Sequence, residues 1–235
     1  MRSNRTPAGR ALQRAGDLGG RLLDLAFPAH CSGCGAEGSP ICDRCRPGLF
    51  RHLDRPGGVL LGLPGDVPSP LVQAEWCAPF EGVVRAALHD LKYAGERRLA
   101  AVLGQALAQR WRHAGTGAEV LVPVPIHRQR ERERGYDQAL LLARAAAESL
   151  RLPAAHCLER SRATQAQFQL DRRHRAANVS GAFRVWPDTA VWVAGHWVLL
   201  IDDVMTTGST LGACARALLD AGASAVSALT VAREQ

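Results

Sequence analysis

Residues 198–211, VLLIDDVMTTGSTL, join an apolar run to two adjacent carboxylates, Asp202 and Asp203, and then to a hydroxyl-rich loop around one glycine. The apolar run is that of a central parallel strand, buried on both faces. The carboxylates therefore emerge at its carboxyl end, where open α/β sheets bind ligands. Thr206, Thr207, Gly208, Ser209 and Thr210 lead into a helix whose unpaired N–H groups and positive dipole end hold an anion, with the hydroxyls as further donors. Gly208 lets the backbone approach that anion closely. Two carboxylates would repel a second phosphate, but they accept hydrogen bonds from vicinal hydroxyls. The spacing thus predicts a ribose 5-phosphate, its diol on Asp202 and Asp203 and its phosphate in the 206–210 loop. A Walker A loop is disfavoured, because no lysine follows Gly208. The plain structural alternative is a strand end, a turn at Thr206 and Thr207, and Ser209 as an ordinary helix N-cap.

A second constellation lies near the other end of the chain. Cys31-x-x-Cys34, seven residues and Cys42-x-x-Cys45 place four thiolates where two tight turns can close a tetrahedron around Zn²⁺. Two such units together weigh against a dithiol redox pair, and an iron–sulfur centre stays as the alternative. With four thiolates filling every position no water can be bound, so the metal is expected to be structural. His30 is then a bystander. Cys77, Cys157 and Cys214 lie among apolar neighbours and read as buried thiols.

The elements that must position these groups follow from hydrophobic spacing. Val84, Leu88 and Leu91, and then Leu99, Leu103, Leu107 and Trp111, recur at helical intervals and predict two amphipathic helices. Residues 119–126 (EVLVPVPI) read as a buried strand, with Pro123 and Pro125 marking where its ladder ends. A loop carrying Arg128, Arg130, Arg132, Arg134 and Gly135 follows, then a helix over 137–150. Residues 161–178 are polar, rich in Arg and Gln, and have no apolar face. A strand over 192–202, a helix over 209–221 closing at Gly222, and a strand over 227–231 complete the pattern. Strand–helix–strand alternation predicts an α/β fold, a mostly parallel sheet flanked by helices on both sides. The expected organisation is a basic leader (1–26), the cysteine module (27–50), a Pro/Gly-rich linker (51–72) with one short strand near 59–63, and the α/β domain (73–235).

The totals suit a soluble globular protein, with 47% hydrophobic and 22% charged residues among 235. The formal charge of +7 suits anionic ligands, yet it comes almost wholly from arginine, Lys92 being the single lysine. That bias is discounted as evidence for nucleic acid. No apolar run is long enough to span a bilayer. The leader is interrupted by Asp17, Gly19, Gly20 and Asp24 and lacks the apolar core of a secretory signal. A cytoplasmic location with reduced cysteines is expected.

Residue by residue, 198–211 resembles the phosphoribosyl-diphosphate (PRPP) signature of type I phosphoribosyltransferases. The stretch VPVP followed by RGYDQA is similar to the ComF family, in which a cysteine-rich zinc ribbon precedes a phosphoribosyltransferase-like domain and which is associated with competence and DNA uptake. The resemblance implies PRPP bound with Mg²⁺, and transfer of its phosphoribosyl group to an unidentified acceptor with release of diphosphate. It assigns the diphosphate to Lys92, Arg134, Gly135 and Tyr136, with backbone N–H groups near Gly135 and Tyr136 as donors. The family usually has Phe-Asn where this chain has Tyr136 and Asp137; an aspartate there adds negative charge unless it turns away as a helix cap. Thr164, Gln167, Leu170, Arg175, Asn178 and Phe183 fit the family's spacing, and the polar segment that carries most of them reads as a lid. The reading from another class is a non-catalytic protein that senses PRPP, or that docks single-stranded DNA or a competence partner.

Overall fold

The computed structural model describes residues 28–58, 69–160 and 181–234. Four parallel strands make its main sheet, in the order β1 (Gln73–Pro79), β6 (Ala225–Arg233), β5 (Trp197–Met205) and β2 (Val120–Pro123). A two-stranded antiparallel ribbon, β3 (Leu158–Arg160) with β4 (Phe183–Val185), stands apart from it. The helices are α1 (Arg46–Phe50), α2 (Gly82–His89), α3 (Leu99–Ala114), α4 (Arg128–Arg134), α5 (Gln138–Leu150) and α6 (Ser209–Asp220).

Alternation along β5 divides the core. Leu199 and Ile201 face one side, where Leu88, Leu91, Leu103, Leu107 and Leu142 of the helices cover them; Val198 and Leu200 face the other, against Leu211, Cys214 and Leu218 of α6. A central strand buried on both faces needs apolar residues at every position, and this is why β5 reads as an unbroken run. Cys77, Cys157 and Cys214 are buried free thiols, as expected. Gly104 lets α3 and α5 approach until an added Cβ would run into Ala145.

Several expectations need correction. The expected strand over 192–202 is shifted: Pro187–Trp192 is a 3₁₀ turn, the chain reverses at Gly195 with φ +77, and β5 begins at Trp197 and continues through both aspartates to Met205. The arginine-rich loop is the helix α4, ended by Gly135 in the left-handed conformation, φ +74. Its charge run hides it, because no apolar face announces the turn. β1 opens the expected α/β domain at a place where the sequence pattern predicts no strand. Its Gln73 and Glu75 break the apolar run, yet both are buried. The expected short strand near 59–63 lies outside the described residues.

Those buried polar groups are satisfied from α3. Arg110, 3% exposed, forms an ion pair with Glu75, 1% exposed, and also donates to the carbonyls of Leu53 (3.2 Å), Arg55 and Pro56 (3.3 Å). Glu75 Oε1 accepts from the Gly58 N–H (2.7 Å) and from Gln73 Nε2 (2.9 Å). A buried charge needs a counter-charge and hydrogen bonds. Arg110 has both at its two terminal nitrogens, its Nε staying unsatisfied among the described residues, and together with Glu75 it pins residues 53–58 to the α/β domain. Ile41, Leu49 and Leu53 also enter the core that holds Leu88 and Leu91, so the cysteine module shares that core.

Candidate functional site

The carboxyl ends of β5 and β2 lie side by side, since Val120–Pro123 pairs with residues 198–201. Everything that follows those two strands is therefore gathered at one edge of the sheet. Asp202 and Asp203 sit within the last residues of β5. Asp202 Oδ1 accepts the Asp203 N–H (2.8 Å). Asp203 Oδ2 is ion-paired with Lys92 Nζ, which reaches it from the far end of α2.

Burial, then the Asp203 carboxylate and a side-chain hydrogen bond with it, hold the Asp202 carboxyl well above the ordinary aspartate range; the Asp203 N–H and Lys92 pull it down without prevailing. Two carboxyl groups this close resist carrying two charges. Arg160, at the end of β3, and Cys214 on α6 also act on this neighbourhood electrostatically.

Beyond Met205 the chain turns through the half-buried Thr207 to Gly208, which is buried and left-handed with φ +74. Gly208 is the N-cap of α6, and no side chain caps that helix. Ser209 is its first residue, so the alternative of Ser209 as an ordinary N-cap does not hold. Thr207 Oγ1 and Ser209 Oγ are 2.8 Å apart, and the Ser209 N–H lies 3.4 Å from Thr207 Oγ1. Thr206 is exposed and Thr210 half-buried in the same turn. A glycine-led helix start whose N-cap residue has no side chain to accept its amides, with hydroxyls around it, suits an anion.

The diphosphate candidates converge on Lys92 from the opposite side. α2 passes directly into a π-helical turn, Asp90–Ala94, which carries Lys92 and closes at Gly95. The Tyr136 hydroxyl donates to the Leu91 carbonyl of that turn, a bond that a phenylalanine could not make. Arg97 stacks over the Tyr136 ring at 4.4 Å and Arg134 over the Tyr93 ring at 5.0 Å. Arg134 Nη1 also donates to Gln138 Oε1 (2.8 Å). The Gly135 N–H closes α4 on the Glu131 carbonyl (2.7 Å), so that amide is already engaged in the helix end. Asp137 is the N-cap of α5 and accepts the Leu140 N–H (3.0 Å), and burial raises its carboxyl above the ordinary range. Its charge is thus spent on the helix start. The lid residues Thr164, Gln167, Arg175 and Asn178 lie outside the described residues. Arg97 and Arg160 escaped the sequence reading; the cation–aromatic pair of Arg97 with Tyr136 leaves no spacing signal.

In the cysteine module the thiol sulfurs of Cys31, Cys34, Cys42 and Cys45 all lie within 4.8 Å of one another. Burial raises the Cys31 thiol, but amide hydrogen bonds from Cys42, Gly33 and Cys34 outweigh it and bring it down to about 6. Cys45 is pushed up to about 12 by desolvation and by its three neighbouring cysteines. One ready thiolate among crowded sulfurs is the donor set that a thiophilic divalent ion neutralises, and the cluster fits tetrahedral Zn²⁺. His30 stays apart, 3.6 Å from Glu37.

No family model matches the chain. It is 30% identical over 208 residues to the DNA utilization protein YhgH of Escherichia coli, covering 83% of this chain and 85% of that protein. The protein of the same name from Salmonella typhi is 34% identical over 214 residues, 87% of this chain and 90% of that one. Competence protein F of Haemophilus influenzae is 27% identical over 215 residues, 90% and 93% of the two chains. Among solved structures, the glutamine PRPP amidotransferase of B. subtilis with ADP and GMP aligns at TM-score 0.38 and 22% identity, over 56% of this chain and 25% of that one. A hypoxanthine phosphoribosyltransferase from Trypanosoma cruzi aligns at 0.32 and 18%, over 57% and 65%. Among the described residues no helix is long and apolar enough to cross a membrane.

Proposed function

The chain belongs to the ComF family, and from that premise we propose that it binds PRPP with Mg²⁺ and transfers the phosphoribosyl group to an acceptor, releasing diphosphate. The observation that carries the reading is the carboxylate pair at the end of β5, followed at once by an uncapped, glycine-led helix start. Asp202 and Asp203 accept from the ribose diol, and Thr206, Thr207, Gly208, Ser209 and Thr210 surround the 5-phosphate. Lys92 moves between Asp203 and the diphosphate, with Arg134 and Tyr136 beside it. Mg²⁺ carried by the diphosphate would supply charge neutralisation to that leaving group. The carboxyl pair faces a ribose ring that gains positive charge as its bond to diphosphate breaks, and the negative charge that the pair retains favours it electrostatically. No enzyme residue needs to act as nucleophile.

Titration with PRPP and Mg²⁺ in a calorimeter is expected to give saturable binding that Asp202→Asn together with Asp203→Asn abolishes. Undiminished affinity in that double variant would refute the site. A second reading, a non-catalytic PRPP sensor or a protein docking DNA or a competence partner, is favoured by Tyr93, which is 67% exposed beneath Arg134, and by the names its relatives carry. Screening nucleobases and amines for PRPP-dependent diphosphate release separates the two. Binding without release under any acceptor supports the sensor.

A further inference from the structure

Two glycines of the cysteine module face one valine of the α/β domain. A Cβ on Gly33 would stand 3.0 Å from Val83 Cγ2 and 2.8 Å from Cys45 Sγ; one on Gly48 would stand 2.7 Å from Val83 Cγ1. The Val83 side chain is therefore a knob seated between the first cysteine turn and α1, the helix that opens directly after Cys45. Neither contact leaves room for a methyl group.

Val83 is the second residue of α2, and α2 passes without interruption into the π turn that holds Lys92. Nine residues of helix span about 14 Å. Leu88 and Leu91 anchor this rod in the core shared with Ile41, Leu49 and Leu53 of the module and the residues just after it. At its far end the Leu91 carbonyl accepts the Tyr136 hydroxyl and Lys92 meets Asp203. One end of the rod is set by the cysteine module and the other by the carboxylate site. The π turn that ends this rod is an uncommon conformation, and such turns are often found at functional sites.

We propose that the cysteine module is a positioning element of the phosphoribosyl site: seated on Val83, it fixes through α2 where the Lys92 ammonium stands relative to Asp203. Val83 is the positioning residue, and Lys92 is the group positioned. The inference takes its ligand from the function proposed above, but the placement of Lys92 can be measured without that ligand.

The test uses the fact that Lys92 is the only lysine of the chain. An amine-acylating reagent then marks one side chain besides the N-terminus, and peptide mass spectrometry tells the two apart. Gly48→Ala keeps all four cysteines and occupies a helical position without positive φ, so its effect comes from the clash with Val83. Acylation of Lys92 is expected to quicken about tenfold as its charge-assisted contact loosens, with zinc content per chain unchanged. Affinity for PRPP with Mg²⁺ is expected to fall about tenfold. Adding Val83→Ala to Gly48→Ala removes the opposing methyls and is expected to restore both. Val83→Ala alone, which brings no clash, is expected to raise acylation by a smaller factor. Unchanged Lys92 reactivity in both single variants, whatever happens to their melting temperatures, overturns the proposal. Faster acylation and its rescue, in a protein that never binds PRPP, support the positioning while removing the phosphoribosyl reading.

Discussion

Asp202 is held where burial, the Asp203 carboxylate and their mutual hydrogen bond favour a proton, and the Asp203 N–H and Lys92 do not reverse the balance. An unfolded aspartate releases its proton near 3.8. Between that value and the raised folded one, the native chain keeps a proton that the unfolded chain has lost, so stability declines as pH rises through the window. Asp202→Asn removes the decline. Its melting temperature is expected to exceed the parent's at neutral pH, with the gap closing as pH falls below about 4. A gain of about 1 kcal/mol corresponds to about 2–4 °C in a chain of this size. Thermal melts of both proteins from acid to neutral pH check it, and an identical profile would mean that the aspartate is not held protonated. A residue that destabilises its own fold is what the proposed ligand role of Asp202 predicts.

At the scale of elements, α6 depends on Gly208 in two ways. Its left-handed φ of +74 suits glycine, and its missing side chain leaves the helix start open. Gly208→Ala is expected to lower stability by about 1–2 kcal/mol through backbone strain and to weaken PRPP binding beyond what that strain explains. Calorimetric titration beside a denaturant melt separates the two effects. This corner was legible in the sequence because strand, carboxylates and glycine turn are contiguous, and contiguous chemistry needs no tertiary knowledge. β1 was illegible for the opposite reason: Gln73 and Glu75 look like surface residues until Arg110, 35 positions beyond Glu75, is seen to satisfy them. α4 was missed because alternating Arg and Glu give no apolar stripe, and a solvated helix and a solvated loop then read alike. The Lys92–Asp203 pair joins residues far apart in the chain, and only the fold brings them together.

For the molecule as a whole, the decisive question is whether the cysteine module is an appendage or part of one cooperative unit. A four-thiolate module of this size would rely on a bound metal to fold. Were it tethered only by a flexible linker, loss of the metal would leave the α/β domain untouched. The structure ties it in twice. Ile41, Leu49 and Leu53 lie in the core beneath α2 and α3, and Arg110 holds the carbonyls of Leu53, Arg55 and Pro56 next to buried Glu75. Unfolding the module together with the residues just after it, through 58, therefore exposes three large apolar side chains and strips a buried arginine of most of its partners. Either change would lower the stability of the domain beneath. Stripping zinc with a chelator is accordingly expected to shift a single calorimetric transition to lower temperature for the whole chain. A small early transition, followed by an unmoved main one, would show that the module folds and unfolds by itself, and that the shared core and the arginine clamp do not couple the two parts.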